Sequence, residues 1–377
     1  MRRVFHIALT IGVTALLICC KGNGRGVNSD SLLDTIPLQY AKNLTMIQGN
    51  GYTIAELRNP WDTTKMLKRY IMVPQNQQIP TTPKGVIVRT PISNVLVYTT
   101  IHCKLIEELG AIEQIGGVCE IEYMNISEIH KRHKEGKVID AGKGTNPDIE
   151  KIIELNPDAI MLSPFENGGG HGAIEKLGTP IIECADYMET SALGGAEWIY
   201  FYGALLGKEQ QADSIFKSVE ASYNSLKNSV PQIDDKPKLL YGLKTGSAWY
   251  VPAGGSAISK MLTDAGANYI FQHTKGSGSI PLSFEEVFDK GQDSKVWLIR
   301  YYQEGDKTYT SLAEEYTPYS QFQPFKNREI YGCNTSYSTY YEDFPFHPDM
   351  VLKDIITLLY PELDITYKQK YYTKLPE

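Results

Sequence analysis

Two halves of this chain repeat the same order of short strands and helices. Residues 104–111 (KLIEELGA) match residues 260–267 (KMLTDAGA), and residues 148–152 (DIEKI) match residues 283–287 (SFEEV). In the second pair, a residue type that caps helices stands two positions before a glutamate, and an apolar strand follows about a dozen residues later. Strands that alternate with helices fold into a mostly parallel sheet covered by helices. The repeat therefore predicts an α/β fold with two Rossmann-like lobes and mostly parallel sheets.

A long helical stretch separates the two halves. Apolar residues from Ala196 to Leu226 recur at the spacing of one helix face, and Gly207 indicates a break within the stretch. Residues 35–83 instead contain short β-rich runs between glycine, asparagine and proline residues. The predicted domains are an N-terminal lobe over residues 35–190, one long linking helix over residues 191–230 and a C-terminal lobe over residues 231–377.

The N-terminus has the pattern of a secretion signal. A basic start precedes the apolar run Val4–Ile18, which is shorter than the ~20 residues that span a bilayer. The run ends in Leu-Ile-Cys-Cys, which resembles a bacterial lipobox with Cys20 as the lipidated residue, although Cys19 stands where a small residue is usual. Lipidation of Cys19, or cleavage without a lipid, stays open. We predict a signal peptide over residues 1–19, a tether over residues 20–34, and a periplasmic body in the bacterial cell envelope that reaches the membrane only through the lipid.

Charge and missing motifs restrict the function further. The chain has a net charge of -7 and a pI near 5.6, which argues against a nucleic-acid binder. Residues 142–145 (GKGT) lack the order of a phosphate-binding P-loop, and the sequence has neither an HExxH zinc motif nor a nucleophile elbow. We therefore expect no enzyme, no resident cofactor and no protein-bound metal ion, with an extracellular enzyme as the weaker alternative. Without short spacings, four cysteines of the body are expected to be free thiols: Cys103, Cys119, Cys184 and Cys333.

Several short segments, in their order along the chain, resemble one family of proteins. They are residues 91–95 (PISNV), 146–150 (NPDIE), 155–160 (LNPDAI), 178–182 (GTPII) and 348–354 (PDMVLKD). Behind a lipobox, this layout is similar to the substrate-binding proteins of ABC importers for iron–siderophore, haem and cobalamin. The resemblance covers roughly residues 38–362, and Tyr360 departs from it because the family usually has histidine there.

The resemblance implies partners and a mode of binding. It implies a monomer with two lobes that close little on the ligand, an ABC permease with its ATPase as partners, and a metal chelate as the small-molecule ligand. Glu150 and Glu285 occupy equivalent positions of the two repeats, and the resemblance assigns them to docking on the permease. The alternative is that each carboxylate only stabilises the N-terminus of its own helix.

The ligand is expected beyond the carboxyl ends of the strands, where open α/β sheets bind ligands. A cation there, above all Arg300, suits the oxygen atoms of an anionic chelate, and aromatic rings suit stacking on a flat one. Tyrosine is frequent, and nine of its 25 residues lie between Tyr301 and Tyr341, which favours such a surface. A ferric siderophore ranks first, cobalamin second and haem third, with a histidine or tyrosine as the axial haem ligand. The predicted ligand-contacting residues are Thr99, Thr100, His102, Lys143, Phe165, His171, Lys244, Trp249, Tyr250, Arg300, Tyr301 and Tyr302.

Overall fold

The computed structural model describes residues 34–166, 170–363 and 365–377. The predicted signal peptide, Cys20 and all but the last residue of the tether lie outside these ranges. From residue 34 onward the described chain forms one compact unit. Within it, no helix combines the length and the apolar character that a membrane crossing needs.

An N-terminal sheet of five strands precedes the repeated halves. It consists, in chain order, of β1 (Asp34–Ile36), β2 (Leu44–Gln48), β3 (Thr53–Arg58), β4 (Met66–Pro74) and β5 (Val86–Thr90). Side chains of a strand alternate between its two faces, so Tyr70 packs on the main core while Ile71 joins a small cluster on the opposite face. The Tyr70 hydroxyl donates a hydrogen bond of 2.9 Å to the carbonyl of Ile181. This bond fastens the sheet to the N-terminal lobe, and the prediction of a β-rich start is confirmed.

The N-terminal lobe is built on a parallel sheet. Its strands are β6 (Val95–Val97), β7 (Ile115–Val118), β8 (Ile139–Asp140), β11 (Ala159–Leu162) and β12 (Ile181–Glu183), and the short strands β9 (Gly142–Lys143) and β10 (Asn146–Pro147) pair with each other. The order across the sheet is β12-β11-β6-β7-β8, with every neighbouring pair parallel. The helices are α1 (Thr100–Glu108), α2 (Ser127–Lys134) and α3 (Ile149–Leu155). The predicted cap of α3 is confirmed, because the Asp148 carboxylate accepts a hydrogen bond from the Lys151 amide.

Three helices, rather than one, connect the lobes: α4 (Ala192–Glu197), α5 (Ile199–Leu206) and α6 (Glu209–Ser229). Gly207 ends α5 with a φ of 67°, a left-handed conformation that glycine adopts without steric cost. The predicted break at Gly207 is therefore confirmed, and the single long helix is corrected. Only α6, with 21 residues, has the length expected of the linker.

The C-terminal lobe repeats the architecture of the first. Its main sheet has the order β16-β13-β18-β19-β20, in which only β20 is antiparallel to its neighbour. The strands are β13 (Lys238–Tyr241), β16 (Asn268–Tyr269), β18 (Val296–Tyr301), β19 (Ile330–Asn334) and β20 (Thr373–Lys374), and the helices are α7 (Ala257–Asp264), α8 (Phe284–Gly291), α9 (Tyr309–Glu315), α10 (Gln323–Lys326), α11 (Tyr340–Asp343) and α12 (Pro348–Leu359). The mixed α/β fold with two parallel sheets confirms the predicted fold class.

A small antiparallel sheet is inserted after β13. It consists of β14 (Lys244–Thr245), β15 (Ala248–Pro252) and β17 (Ser279–Leu282), in that order. Because side chains alternate along β15, Trp249 points into the core and Tyr250 points outward. The burial of Trp249 in β15 changes the assignment of one predicted site residue.

Candidate functional site

Exposed aromatic side chains surround the carboxyl ends of both parallel sheets. Exposed aromatic rings that gather at the carboxyl edge of a sheet indicate a binding site, because soluble proteins rarely expose large apolar patches without a function. Phe165 is 75% exposed beyond β11, and Tyr302 is 69% exposed beyond β18. The other exposed rings that follow strands of these sheets are Tyr123 and Tyr187 in the N-terminal lobe and Tyr337 and Tyr341 in the C-terminal lobe, and Tyr250 is exposed on β15 of the small antiparallel sheet.

Arg300 is enclosed by three tyrosine rings near the end of β18. The centre of its guanidinium group lies 4.8 Å from the Tyr340 ring, 5.5 Å from the Tyr341 ring and 5.6 Å from the Tyr241 ring. Its Nε atom is buried and has no hydrogen-bond partner among the described residues. The side chain as a whole remains partly exposed. We call Arg300 and these three tyrosines the arginine cage.

The arginine cage lacks a counter-anion. Among the residues that the structure describes, Arg300 forms no ion pair within 4 Å of a carboxylate, and its recorded contacts are with the three tyrosine rings. An arginine keeps its charge at every physiological pH, and a partly buried charge without an anionic partner loses part of its hydration. Cation–π contacts offset only part of that cost. An oxyanion of a ligand would supply the missing partner, so the arginine cage suits a ligand with anionic oxygen atoms.

The two predicted lysines differ in their freedom to reach a ligand. Lys244 lies in β14, where its ammonium group donates to the Gly246 carbonyl and lies 5.0 Å from the Tyr316 ring. Both contacts hold its ammonium group close to the protein surface in this arrangement. Lys143 is exposed in β9, next to the carboxyl end of β8, and keeps its place among the candidate ligand contacts.

His102 is a buried structural residue, which corrects its predicted role in ligand contact. It is 2% exposed. Its Nε2 atom lies 3.0 Å from Asp186 Oδ1, and its Nδ1 atom lies 2.6 Å from Thr99 Oγ1. Burial alone would lower the pKa of His102, but the neighbouring Cys184 and Asp186 raise it to about 10. Thr99, which is half-buried, caps α1 and so has a structural role as well, and its predicted contact with a ligand stays a prediction.

His171 is also engaged by a carboxylate. Its Nε2 atom lies 2.9 Å from Glu183 Oε1, and this hydrogen bond raises the pKa of His171 above its ordinary value. Its Nε2 atom is therefore not free to bind a haem iron in this arrangement.

The hydroxyl of Tyr301 is also engaged within the protein. It accepts a hydrogen bond from the backbone amide of Lys307 and donates one to Asp306.

Trp249 is removed from the ligand surface by its burial. The ring is 0% exposed, its Nε1 donates to the Tyr241 carbonyl at 3.1 Å, and Trp297 lies 5.6 Å away. The prediction that Trp249 stacks on a ligand is wrong because β15 turns its side chain into the core. Its neighbour Tyr250, which is 51% exposed, points to the opposite face.

We expect Trp249→Ala to destabilise the protein and Tyr250→Ala to leave stability nearly unchanged. Truncation of a buried aromatic ring costs about 3–5 kcal/mol, because it leaves a cavity in the core. An exposed substitution usually changes stability by less than about 0.5 kcal/mol. Urea unfolding followed by circular dichroism gives both values. Equal stabilities of the two variants would contradict the assignment of Trp249 to the core.

Thr100 is half-buried and contacts the other lobe. Its hydroxyl donates a hydrogen bond of 3.1 Å to Glu342 Oε1, and Asn125 Nδ2 donates one of 2.8 Å to the same oxygen. Five further residues of this region are not among those predicted from the sequence: Asn125, Tyr241, Tyr340, Tyr341 and Glu342. The tyrosine-rich stretch before residue 342 is the one sequence signal that points to part of this group.

Glu150 and Glu285 occupy matching positions in the structure. Each is the second residue of its helix, α3 or α8, and each is exposed. A helix that leads into a parallel strand starts at the carboxyl edge of the sheet. Because α3 leads into β11 and α8 into β18, both carboxylates lie on the cleft side of their lobes.

Metal-binding groups are scattered. No group of three or more His, Cys, Asp or Glu side chains within the described ranges could hold a metal ion. Cys103, Cys119, Cys184 and Cys333 are buried free thiols, as expected from the sequence.

The chain is similar in sequence to known proteins over most of its length. The sequence model of the family described as "Periplasmic binding protein" matches residues 95–333. An uncharacterised lipoprotein of Methanocaldococcus jannaschii is 27% identical, over 99% of this chain and 97% of its own length.

Two solved structures illustrate the similarity of fold. The protein of the ABC-type Fe3+-hydroxamate transport system from Saccharomonospora viridis has a TM-score of 0.54 and 14% identity, over 71% of this chain and 93% of its own. The periplasmic haem-binding protein HutB of Vibrio cholerae has a TM-score of 0.57 and 17% identity, over 71% and 99%. With a family match over more than half of its residues and two repeated lobes around an aromatic cleft, this chain belongs to the family of periplasmic binding proteins.

Proposed function

We propose that this protein is the solute-binding component of an ABC importer and that it captures a ferric siderophore between its lobes. The arginine cage carries the proposal, because its charge lacks a partner at the carboxyl edge of the sheet. Catecholate and carboxylate oxygens of a ferric chelate would accept hydrogen bonds from Arg300, which binds such groups in a fork. The exposed rings of both lobes would pack on the body of the chelate.

Cobalamin is the second candidate ligand. The exposed aromatic rings, among them Phe165 and Tyr302, would also stack on a large macrocycle. A corrin carries amide groups in place of carboxylates, so it would leave the charge of Arg300 without a partner. Haem ranks third because His171 is bound to Glu183, although an exposed tyrosine would still serve as its axial ligand.

A lipid anchor at Cys20 is part of the same proposal. The relative from Methanocaldococcus jannaschii is called a lipoprotein, and this chain starts with a lipobox-like sequence. A lipid-anchored binding protein outside the cytoplasm would remain close to the permease and its ATPase, to which it would pass the ligand as a monomer.

Calorimetric titration with four probes tests the proposed ligand. The probes are a ferric tricatecholate, a ferric trihydroxamate, cyanocobalamin and haemin. We expect a ferric siderophore to bind with Kd near or below ~1 μM, or about 8 kcal/mol, and the others to bind more weakly. Tryptophan fluorescence should fall by energy transfer to the coloured chelate, since Trp198, Trp249 and Trp297 are buried and cannot touch it. Tighter binding of cyanocobalamin or haemin would contradict the siderophore assignment.

A further inference from the structure

A buried carboxylate connects the two lobes at the cleft. Glu342 lies in α11 of the C-terminal lobe and is 3% exposed. Its Oε1 atom accepts hydrogen bonds from Thr100 and Asn125, which both belong to the N-terminal lobe. Both donors are neutral, and within the described ranges Glu342 has no cationic partner at ion-pair distance. The charge of Glu342 is therefore stabilised by the opposite lobe.

The opposite lobe is suited to hold a carboxylate at this point. Thr100 is the first residue of α1, where the helix dipole favours negative charge. The backbone amide of Asn125 donates a hydrogen bond of 3.3 Å to Thr100 Oγ1, so Thr100 and Asn125 are also linked to each other. If the lobes moved apart, Glu342 would exchange these oriented donors for water, and the first turn of α1 would lose its anionic partner.

The same segment of the C-terminal lobe reaches the other end of α1. Nε2 of His347 lies 2.7 Å from Oε2 of Glu108, the last residue of α1. Between these two contacts, the Phe346 ring lies 5.8 Å from the ring of Tyr202 in α5. Residues 340–347 therefore contact both ends of α1 in the N-terminal lobe, and the linker is not the sole connection between the lobes.

We propose that Glu342 is an interlobe latch, which holds α1 against the C-terminal lobe before any ligand arrives and thereby fixes the width of the cleft. Glu342 is also a positioning residue for the arginine cage, because it directly follows Tyr340 and Tyr341, whose rings enclose Arg300. The latch is independent of the ligand. Its consequence for affinity rests on the proposed function.

Hydrogen–deuterium exchange of the ligand-free full-length chain tests the latch. We expect Glu342→Ala to speed amide exchange in peptides covering residues 98–105 and 121–127 by at least about tenfold, since local opening governs exchange there. Peptides from the core strands β13 and β18 should keep the protection of the wild type. Glu314→Ala, at an exposed position of α9, is the matched control and should change none of these rates.

A conservative variant separates the latch from simple destabilisation. Glu342→Gln keeps an acceptor oxygen for Thr100 and Asn125, so it should stay within about threefold of the wild-type rates. Asn125→Ala removes a donor from the other lobe and should reproduce part of the Glu342→Ala effect, while the double variant should add little more. Coupled positions show such non-additivity.

Three results would overturn the latch. They are unchanged exchange around α1 in Glu342→Ala, exchange that rises equally in β13 and β18, and full additivity of the Glu342→Ala and Asn125→Ala effects. If Glu342→Ala does not fold, Asn125→Ala decides alone, by whether its faster exchange is confined to residues 98–127. None of these readouts involves a ligand, so failure of the latch and failure of the siderophore assignment are distinguishable.

Discussion

Charge reversal of Glu150 and Glu285 together is expected to abolish uptake while ligand affinity stays unchanged. Both carboxylates are exposed at the second position of α3 and α8, on the cleft side of the two lobes. A permease that receives a ligand from the cleft must contact both lobes at this edge. Opposite charges across such a contact speed association, and like charges oppose it by several kcal/mol. Replacing both carboxylates with arginines reverses the charge that each lobe presents to the permease and should therefore prevent docking.

Transport in cells and binding in solution are the two measurements for this variant. Uptake of 55Fe-loaded chelate should fall to the level of cells without the protein, whereas calorimetric Kd values should match those of the wild type. Each arginine also lowers the free energy of unfolding by about 0.3–1 kcal/mol, because it places a positive charge at a helix N-terminus, and a stable lobe tolerates this loss. Circular dichroism of the purified variant verifies that it is folded.

A matched control removes the effect of net charge. Glu209 is likewise exposed in the first turn of a helix, α6, and Glu314 is exposed in α9. Glu209→Arg combined with Glu314→Arg changes the net charge by the same amount and should leave uptake near the wild-type level. Normal uptake by the Glu150/Glu285 variant, or equal loss in the control, would show that docking uses another surface.

The repeat explains why the fold could be predicted from the sequence. Caps and strand lengths are local signals, and Asp148 and Ser283 do cap α3 and α8. The sequence does not predict the hairpin after β13, because β14 and β15 are too short to show a clear alternation of apolar and polar residues. The position of Trp249 beyond β13 therefore predicts that it contacts the ligand, whereas the alternation along β15 buries it in the core.

The site could be predicted only in part, since burial depends on contacts distant in sequence. Beyond the end of β6, His102 has the appearance of a ligand residue, but Asp186 and Tyr202 enclose it. The partner of Thr100 is Glu342, 242 residues away. A contact between lobes leaves no local sequence pattern, so the latch can be identified only from the three-dimensional structure.

Arg300→Ala is expected to weaken binding of an anionic ferric siderophore by roughly 10–100-fold. A hydrogen bond to a charged group contributes about 1.5–3 kcal/mol, and 1.4 kcal/mol is about tenfold in Kd. Near the end of β18, Arg300 of the arginine cage has a buried Nε atom without a hydrogen-bond partner among the described residues, and its guanidinium group lies against the Tyr340 ring. The loss should therefore appear in ligand affinity rather than in the stability of the ligand-free protein.

Arg328 provides the matched control for Arg300. Its guanidinium group also lies over a tyrosine ring, 4.4 Å from that of Tyr309, and pairs with Glu377. It precedes β19, at the amino end of the sheet and away from the cleft. Arg328→Ala should therefore lose a comparable cation–π contact without any change in Kd.

Comparison of two ligands separates charge recognition from loss of packing in Arg300→Ala. Binding of an anionic siderophore should weaken, whereas any binding of cyanocobalamin should change by less than about threefold, because its amides gain little from a guanidinium charge. Equal weakening of both would mean that Arg300 only supports the tyrosine rings around it. If Arg300→Ala instead binds the siderophore as tightly as the wild type, the anionic-chelate assignment fails, and a neutral macrocycle such as cobalamin becomes the ligand that the aromatic cleft fits best.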